Sequence, residues 1–218
     1  MTLGGLVSPL PEGAGRVGLL SSDEFLDAAI PFDTELFQDR PVRRVGVVLC
    51  ADHAAAPQSL GFARKHFAAL GATVVDVPAA CGTGTLPDVD ALYLAGGNPR
   101  ELLACVRERS GWWEQVLDRW RDGMTLAGAS AGAMALCRQA IGTCTCDNPS
   151  HEWGDGLGPL EGIGLAVHAD RRDPAWLDEL GRRAPVPVLA IDEATGVVLE
   201  AGREPVVAGP GRAWVLPR

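Results

Sequence analysis

Short apolar, β-branched runs alternate with amphipathic stretches along the chain from residue 42 onward. The run at 42–50 (VRRVGVVLC) is rich in valine, which is typical of a strand. In the stretch at 59–70 (SLGFARKHFAAL), apolar residues recur three or four positions apart and Gly71 ends the pattern, which predicts a helix. The same criteria predict further strands at 72–77, 89–95 and 124–129, and helices from Pro99 onward, at 111–121 and at 131–137.

Beyond Ile163 the pattern changes to short strands separated by tight turns. Strand–helix alternation before that point predicts a mostly parallel sheet with helices on both faces, and the tail is expected to extend this sheet with hairpins. No repeat or linker divides the chain, so residues 1–218 are expected to form one α/β domain, a three-layer α/β/α sandwich. The tail has predicted strands at 164–167, 186–191, 197–200, 205–208 and 213–216, and a predicted helix at 173–183.

Composition and charge narrow the function classes. The 218 residues are 47% hydrophobic and 22% charged, as in ordinary globular proteins. The formal net charge of −9 argues against binding to a phosphate backbone, which needs clustered basic residues. No signal-peptide pattern begins the sequence, and no apolar run reaches the ~18 residues of a membrane helix. We therefore expect a cytoplasmic protein that binds neither nucleic acid nor membrane.

The sharpest chemical signal is Gly128-Ala129-Ser130-Ala131-Gly132, which matches G-x-S-x-G between a predicted strand and a predicted helix. In this context the turn is tight, small neighbours let the backbone cross closely, and the serine hydroxyl is exposed at the edge of the sheet. The N–H of Ala131, at the start of the helix, can stabilise an oxyanion. The alternative is a glycine-rich turn in which Ser130 caps the helix. The context favours a nucleophile.

A second glycine-rich turn, Ala95-Gly96-Gly97-Asn98-Pro99, also ends a predicted strand and begins a predicted helix. Paired glycines let the backbone approach a ligand, and an N–H here can complete an oxyanion hole. The alternative is a simple turn capped by Asn98. Beside the serine motif we favour a functional turn.

A nucleophilic serine needs a base, and the sequence has four histidines. His66 lies in the middle of a predicted helix, and we expect it at the surface. His53 follows a strand end, and His151 lies in a polar loop. His168 directly follows the strand at 164–167 and should lie at the same sheet edge as Ser130, so it is preferred, with His151 second.

A third group should orient the base, and three of the acidic residues between Ser130 and His168 are considered as candidates. Asp147 is preferred, then Glu152, with Asp155 as a further alternative, because spacing alone does not decide among them. The acidic pair at 192–193 ends a predicted strand, so it could reach the cleft, but the preferred interpretation is that it is part of a turn. Cysteines 144 and 146 with His151 make an incomplete zinc site, so we expect no metal and no cofactor.

Four segments together resemble the cyanophycinase and dipeptidase E family of serine peptidases. They span most of residues 88–202, whereas the first 80 residues match loosely. The resemblance implies a flavodoxin-like or class I glutamine amidotransferase-like fold, a Ser-His-acid triad, and cleavage of short peptides with an acidic residue on the amino side. The segments are ALYLAGGNPRELL from Ala91, LAGASAGAMAL from Leu126, GIGLAVHADRR from Gly162 and LAIDEATGVVLEAG from Leu189.

The family's functional residues carry over position by position. Ser130 falls on the family nucleophile and His168 on the family histidine, which usually lies in a Pro-His-Phe setting but here lies between valine and alanine. Asp147 is the nearest match to the family acid, and Glu152 stays open. Gly97 and Ala131 fall on the oxyanion donors.

The resemblance also implies cationic groups that receive the substrate's acidic side chain, because arginine binds carboxylates through two N–H groups. Arg171 or Arg172 could serve, and the alternative is that both are solvated. Asn98 and Arg171 are the predicted substrate-binding residues. The expected partner is a short peptide substrate, and a homodimer is left open.

Three other functions remain at this point. An α/β-hydrolase esterase has the same order of serine, acid and histidine, but His168 follows Ser130 closely for that architecture. A catalytically inactive binding protein on the same fold would fit the unusual histidine setting and the unassigned acid. A glutamine amidotransferase subunit is disfavoured because the motif carries serine rather than cysteine.

Overall fold

The structure, a computed structural model, describes residues 3, 10–49, 56–77, 84–108, 111–141, 144–145, 148–149 and 153–218. Its helices are α1 (Ile30–Phe37), α2 (Ala56–Ala69), α3 (Pro99–Arg107), α4 (Trp112–Arg121), α5 (Ala131–Leu136) and α6 (Pro174–Arg183), with 3₁₀ turns at Asp27–Ala29 and Ala169–Arg171. Its strands are β1 (Val17–Leu20), β2 (Arg44–Val48), β3 (Thr73–Val77), β4 (Ala91–Leu94), β5 (Thr125–Ala129), β6 (Gln139–Ile141), β7 (Cys144–Thr145), β8 (Asn148–Pro149), β9 (Trp153–Asp155), β10 (Gly164–Ala166), β11 (Val188–Ile191), β12 (Gly196–Leu199), β13 (Val206–Ala208) and β14 (Ala213–Val215).

The main sheet has the strand order β13-β12-β1-β5-β4-β2-β3. Strands β1, β5, β4, β2 and β3 pair in parallel, whereas β12 and β13 are added antiparallel at one side. The mostly parallel sheet and its C-terminal hairpin extension are therefore confirmed. Because parallel strands end at the same edge, the loops that follow β1, β4 and β5 are neighbours, and this edge is the usual ligand crevice.

Helices cover both faces of this sheet, as predicted. On one face Phe32 of α1 and Phe67 of α2 share a buried cluster with Tyr93 of β4. On the other face Val116 of α4 shares a buried cluster with Leu126 of β5. Each fully buried side chain of this size contributes about 1.5–3 kcal/mol to folding, so the two clusters hold the strand ends in place.

Strands β10, β11 and β14 form a separate small sheet, in which β10 and β11 are parallel and β14 is antiparallel to β11. The prediction that the whole tail extends the main sheet is wrong for these strands and right for β12 and β13. Short apolar runs predict strands, but they do not specify which sheet a strand joins. The small sheet matters because the residues that follow β10 and β11 reach the site.

The elements before residue 42 were not predicted from the sequence pattern. Arg16 precedes β1 and is 4% exposed. Its guanidinium donates to the carbonyl oxygens of Glu35, Leu36 and Gln38 at the C-terminal end of α1, and it also pairs with Glu200 at 2.9 Å. Arg16 thus satisfies carbonyl groups that the end of a helix leaves without partners, and it fixes α1 beside the sheet.

The prediction that His66 is a surface residue is wrong. His66 is 5% exposed, and its Nε2 lies 2.8 Å from Oδ2 of the fully buried Asp33 in α1. Burial raises the pKa of the Asp33 carboxyl, and the hydrogen bond and charge of His66 oppose that rise. The helix face that carries His66 packs on α1 and on Phe25, so this histidine has a structural role. Among the described residues, no helix is long and apolar enough to span a membrane.

Candidate active site

Ser130 lies in the turn between β5 and α5 with φ 47° and ψ −111°. Its N–H donates to the carbonyl of Leu20 in the adjacent strand, at 2.9 Å. The flanking glycines are sterically required: a Cβ on Gly128 would lie 2.4 Å from the backbone of Gly132, and one on Gly132 would lie 2.0 Å from the carbonyl oxygen of Leu94. The strand–turn–helix geometry that the G-x-S-x-G motif predicts is therefore present, with the serine in strained backbone.

His168 lies directly beside this serine. It follows β10 of the small sheet, and its Nε2 is 3.0 Å from Ser130 Oγ, within hydrogen-bond distance. Its backbone also adopts a left-handed conformation, with φ 56°. His168 was expected at the same sheet edge as Ser130, and the two meet because β10 of the small sheet packs against α5, which begins directly after Ser130.

Two serines that follow β1 hold the backbone around this histidine. The fully buried Ser21 hydroxyl accepts from the His168 N–H at 2.8 Å and donates to the Ile191 carbonyl at 3.1 Å, so it links the ends of β10 and β11. The neighbouring Ser22 hydroxyl accepts from the Ala194 N–H at 2.9 Å. These contacts fix the left-handed His168, whose conformation costs about 1–3 kcal/mol.

Glu193 contacts the other ring nitrogen of His168. Its Oε1 lies 3.2 Å from His168 Nδ1, and its Oε2 lies 2.5 Å from Arg171 Nε. The backbone at 193–194 is a turn, as the sequence pattern indicated, but the side chain of Glu193 points into the site. The available signal was its position: Glu193 follows β11, which is parallel to the strand that His168 follows.

Of the three acids considered from the sequence, Asp155 lies in the described part of the chain, and its carboxylate does not contact His168 there. Asp147 and Glu152 lie outside the described residues, as do His53 and His151. Asp155 is exposed in β9, and its carbonyl accepts from Arg107. Glu193 is thus the acidic residue that reaches His168 in the part of the chain that the structure describes.

The pKa of His168 is lowered from its ordinary value of 6.5. The main cause is burial, which disfavours the charged ring; the charges of Arg172 and Arg171 act in the same direction. The charge of Glu193 and its hydrogen bond oppose them and favour the imidazolium. The neutral ring, which can accept a proton, is therefore favoured near neutral pH.

The Gly96-Gly97 turn lies beside the turn that carries Ser130, because a Cβ on Gly96 would lie 3.4 Å from Ser130 Cβ. Gly97 has φ 122°, a conformation open to glycine, and the neighbouring Gly96 N–H donates to Glu24 Oε1 at 2.9 Å. Within the described residues, the Gly97 N–H donates to no carbonyl or side chain. Ala131 is the first residue of α5, where an N–H has no partner within the helix.

The two predicted substrate-binding residues both have partners. The side chain of Asn98 caps α3, with Oδ1 accepting from the N–H groups of Arg100 and Glu101 at 2.9 and 3.4 Å. Arg171 pairs with Glu193, although its side chain is 72% exposed. Substrate binding by Asn98 and Arg171 stays a prediction.

The family model for peptidase family S51 matches residues 60–204 of the chain. This match confirms the resemblance drawn from the four sequence segments. The chain matches no curated protein.

Solved structures match almost the whole chain. A peptidase from an acI-B1 Actinobacterium is 21% identical, with 94% of this chain and 96% of that chain covered and a TM-score of 0.74. A Listeria monocytogenes EGD-e protein described as a peptidase E is 17% identical, with 90% of this chain and 99% of that chain covered and a TM-score of 0.68. At these identities the likeness establishes the α/β fold alone.

Proposed function

Because the chain belongs to peptidase family S51, we propose that it is a serine peptidase in which Ser130 is the nucleophile, His168 the general base and Glu193 the orienting acid. The observation that carries this proposal is one continuous series of contacts. Ser130 Oγ lies 3.0 Å from His168 Nε2, and His168 Nδ1 lies 3.2 Å from Glu193 Oε1. Nucleophile, base and orienting group in this sequence are the arrangement that serine acyl transfer requires.

In the acylation step, Ser130 Oγ attacks the scissile carbonyl carbon while His168 Nε2 accepts the hydroxyl proton. Glu193 accepts the hydrogen bond from His168 Nδ1–H, which keeps Nε2 free to accept, and it stabilises the imidazolium that forms. The carbonyl oxygen becomes an oxyanion, which the N–H groups of Gly97 and Ala131 would bind. His168 then returns the proton to the leaving amine as the peptide bond breaks.

Deacylation reverses the same proton path with water as the nucleophile. Water gives its proton to His168 Nε2, attacks the acyl carbon, and the proton returns to Ser130 Oγ as the ester bond breaks. The products are the free acid and the enzyme in its starting state.

For the substrate we propose short peptides with aspartate on the amino side of the cleaved bond. Arg171 supports this proposal because it lies at the site, with its Nε held by Glu193 and most of its side chain exposed. An arginine carries five N–H donors, so its terminal nitrogens can still bind a substrate carboxylate.

Comparing Asp-Leu, Asn-Leu and Ala-Leu as substrates tests this specificity. We expect kcat/KM for Asp-Leu to exceed that for Asn-Leu about 10- to 100-fold, because a hydrogen bond to a charged group stabilises a complex by an amount that corresponds to this ratio. Arg171→Ala should bring this ratio close to one, whereas Arg182→Ala, in α6 and paired with Glu179, should preserve it. An unchanged ratio in Arg171→Ala would remove Arg171 from the proposal.

The pH dependence of kcat/KM provides a second test. The base must be neutral, so activity should fall with decreasing pH through the pKa of His168, and the acid limb should lie below the ordinary value of 6.5. Arg172→Gln removes a charge that lowers this pKa, so its acid limb should move to higher pH. Initial rates between pH 4 and 9 give the acid limb of wild type and of Arg172→Gln. A shift of the variant's acid limb to lower pH would contradict the assignment of His168 as the base.

The alternatives raised by the sequence have less support. The inactive-protein interpretation depended on the unusual histidine setting and on an unassigned acid, whereas His168 Nε2 lies 3.0 Å from Ser130 Oγ and Glu193 contacts His168 Nδ1. The esterase interpretation depended on the α/β-hydrolase architecture, whereas the family match is to a peptidase family.

A further inference from the structure

Glu24 lies in the loop after β1, next to the site but outside the proposed triad. It is half-buried, and its neighbours Asp23 and Phe25 both have positive φ angles, 61° and 66°. Such conformations cost non-glycine residues energy and persist where surrounding contacts maintain them. Phe25 is 5% exposed and packs against Tyr93, with ring centroids 5.2 Å apart, so the loop that presents Glu24 is anchored in the core.

The carboxylate of Glu24 faces the same space as the nucleophile. Its Oε1 accepts from the Gly96 N–H at 2.9 Å. A Cβ on Gly96 would lie 2.7 Å from Glu24 Oε1 and 3.4 Å from Ser130 Cβ, so both side chains border one small volume. Glycine at position 96 keeps that volume open between Glu24 and Ser130.

Glu24 has no cationic partner among the described residues, which distinguishes it from Glu193 and Asp192. Glu193 pairs with Arg171, and Asp192 pairs with Arg212 at 3.3 Å. The contact described for Glu24 is the neutral Gly96 N–H. A partly buried carboxylate beside a nucleophile, held in place but not neutralised, is suited to receive a cation from the substrate.

We propose that Glu24 binds the free α-ammonium group of the substrate and thereby directs Ser130 to the first peptide bond. This inference rests on the proposed peptidase function. In a peptide, one carbon atom separates the α-nitrogen from the first carbonyl carbon. A carboxylate bordering the same volume as Ser130 therefore lies within reach of the α-ammonium when Ser130 attacks that carbonyl, and a peptide blocked at its amino end loses this contact.

The Glu24→Gln variant tests the negative charge of Glu24 separately from its role in holding the Gly96 N–H. Glutamine keeps an oxygen that can accept from the Gly96 N–H, so the turn that carries Gly97 stays held, but the negative charge is lost. The matched control is Asp23→Asn, which alters the adjacent carboxylate, whose described partner is the Ser22 hydroxyl. Asparagine also tolerates the left-handed conformation at that position.

The experiment compares kcat/KM for Asp-Leu and N-acetyl-Asp-Leu in wild type and both variants. Wild type and Asp23→Asn should prefer the free amine about 10- to 100-fold. Glu24→Gln should lose that preference through a lower kcat/KM for Asp-Leu, mainly a higher KM, with the acetylated peptide unaffected. If Glu24→Gln keeps the preference for the free amine, or loses kcat/KM equally on both substrates, the inference about Glu24 is wrong but the proposed peptidase function still stands. Wild type that cleaves neither peptide would overturn the proposed function as well.

Discussion

Ser130→Ala should lower kcat for dipeptide hydrolysis by about four to six orders of magnitude, because no covalent acyl-enzyme can form without the hydroxyl. The variant keeps the backbone, the flanking glycines and the N–H groups of Gly97 and Ala131, so substrate binding should change far less than kcat. Initial rates at saturating Asp-Leu measure the effect, and circular dichroism checks the fold.

The control for this variant is Ser59→Ala, which changes a serine in helix α2, and its turnover should match wild type. The assignment of Ser130 as the nucleophile would be contradicted if Ser130→Ala kept turnover within tenfold of wild type. The variant must be folded and free of contaminating peptidase.

Glu193→Gln should lower kcat by about three to four orders of magnitude. A glutamine amide can donate a hydrogen bond to His168 Nδ1, which favours the tautomer with its proton on Nε2, and that tautomer cannot accept the Ser130 proton. The substitution also removes the ion pair with Arg171. Steady-state rates on Asp-Leu at the pH optimum measure the loss.

The matched controls are the three acids that were candidates from the sequence. Asp147→Asn, Glu152→Gln and Asp155→Asn should each stay close to wild type if Glu193 is the orienting acid. If instead kcat falls by about three to four orders of magnitude in Asp147→Asn and hardly changes in Glu193→Gln, Asp147 is the orienting acid.

The sequence predicted the later elements well because each has a clear local pattern. The helix at 111–121 and the strand at 124–129 match α4 and β5 within one residue at each end. Strand β1 was missed because it has four residues, one of them Gly18, which depresses strand propensity. Gly18 is needed there because a Cβ would lie 2.8 Å from Phe32, a tertiary contact that no local pattern reveals.

The candidate site could be predicted from the sequence where its residues lie in a contiguous motif, but not where residues from separate strands come together. Ser130 is marked by its glycines, and His168 by its place after a strand. Glu193 was interpreted as part of a turn because its proximity to His168 depends on the parallel pairing of β10 and β11, which places Ala166 opposite Ala190. That register brings the residues that follow the two strands side by side. The local pattern of apolar and polar residues carries no information about which strands pair.

The most direct test of the central claim, that Ser130 is an activated nucleophile, is labelling of the folded protein with a fluorophosphonate probe, read by intact mass. We predict one adduct on wild type, located at Ser130 by peptide mapping and absent from Ser130→Ala. The assignment of Ser130 would be contradicted if wild type cleaved Asp-Leu but carried the adduct on another residue. It would also be contradicted if labelling persisted unchanged in Ser130→Ala.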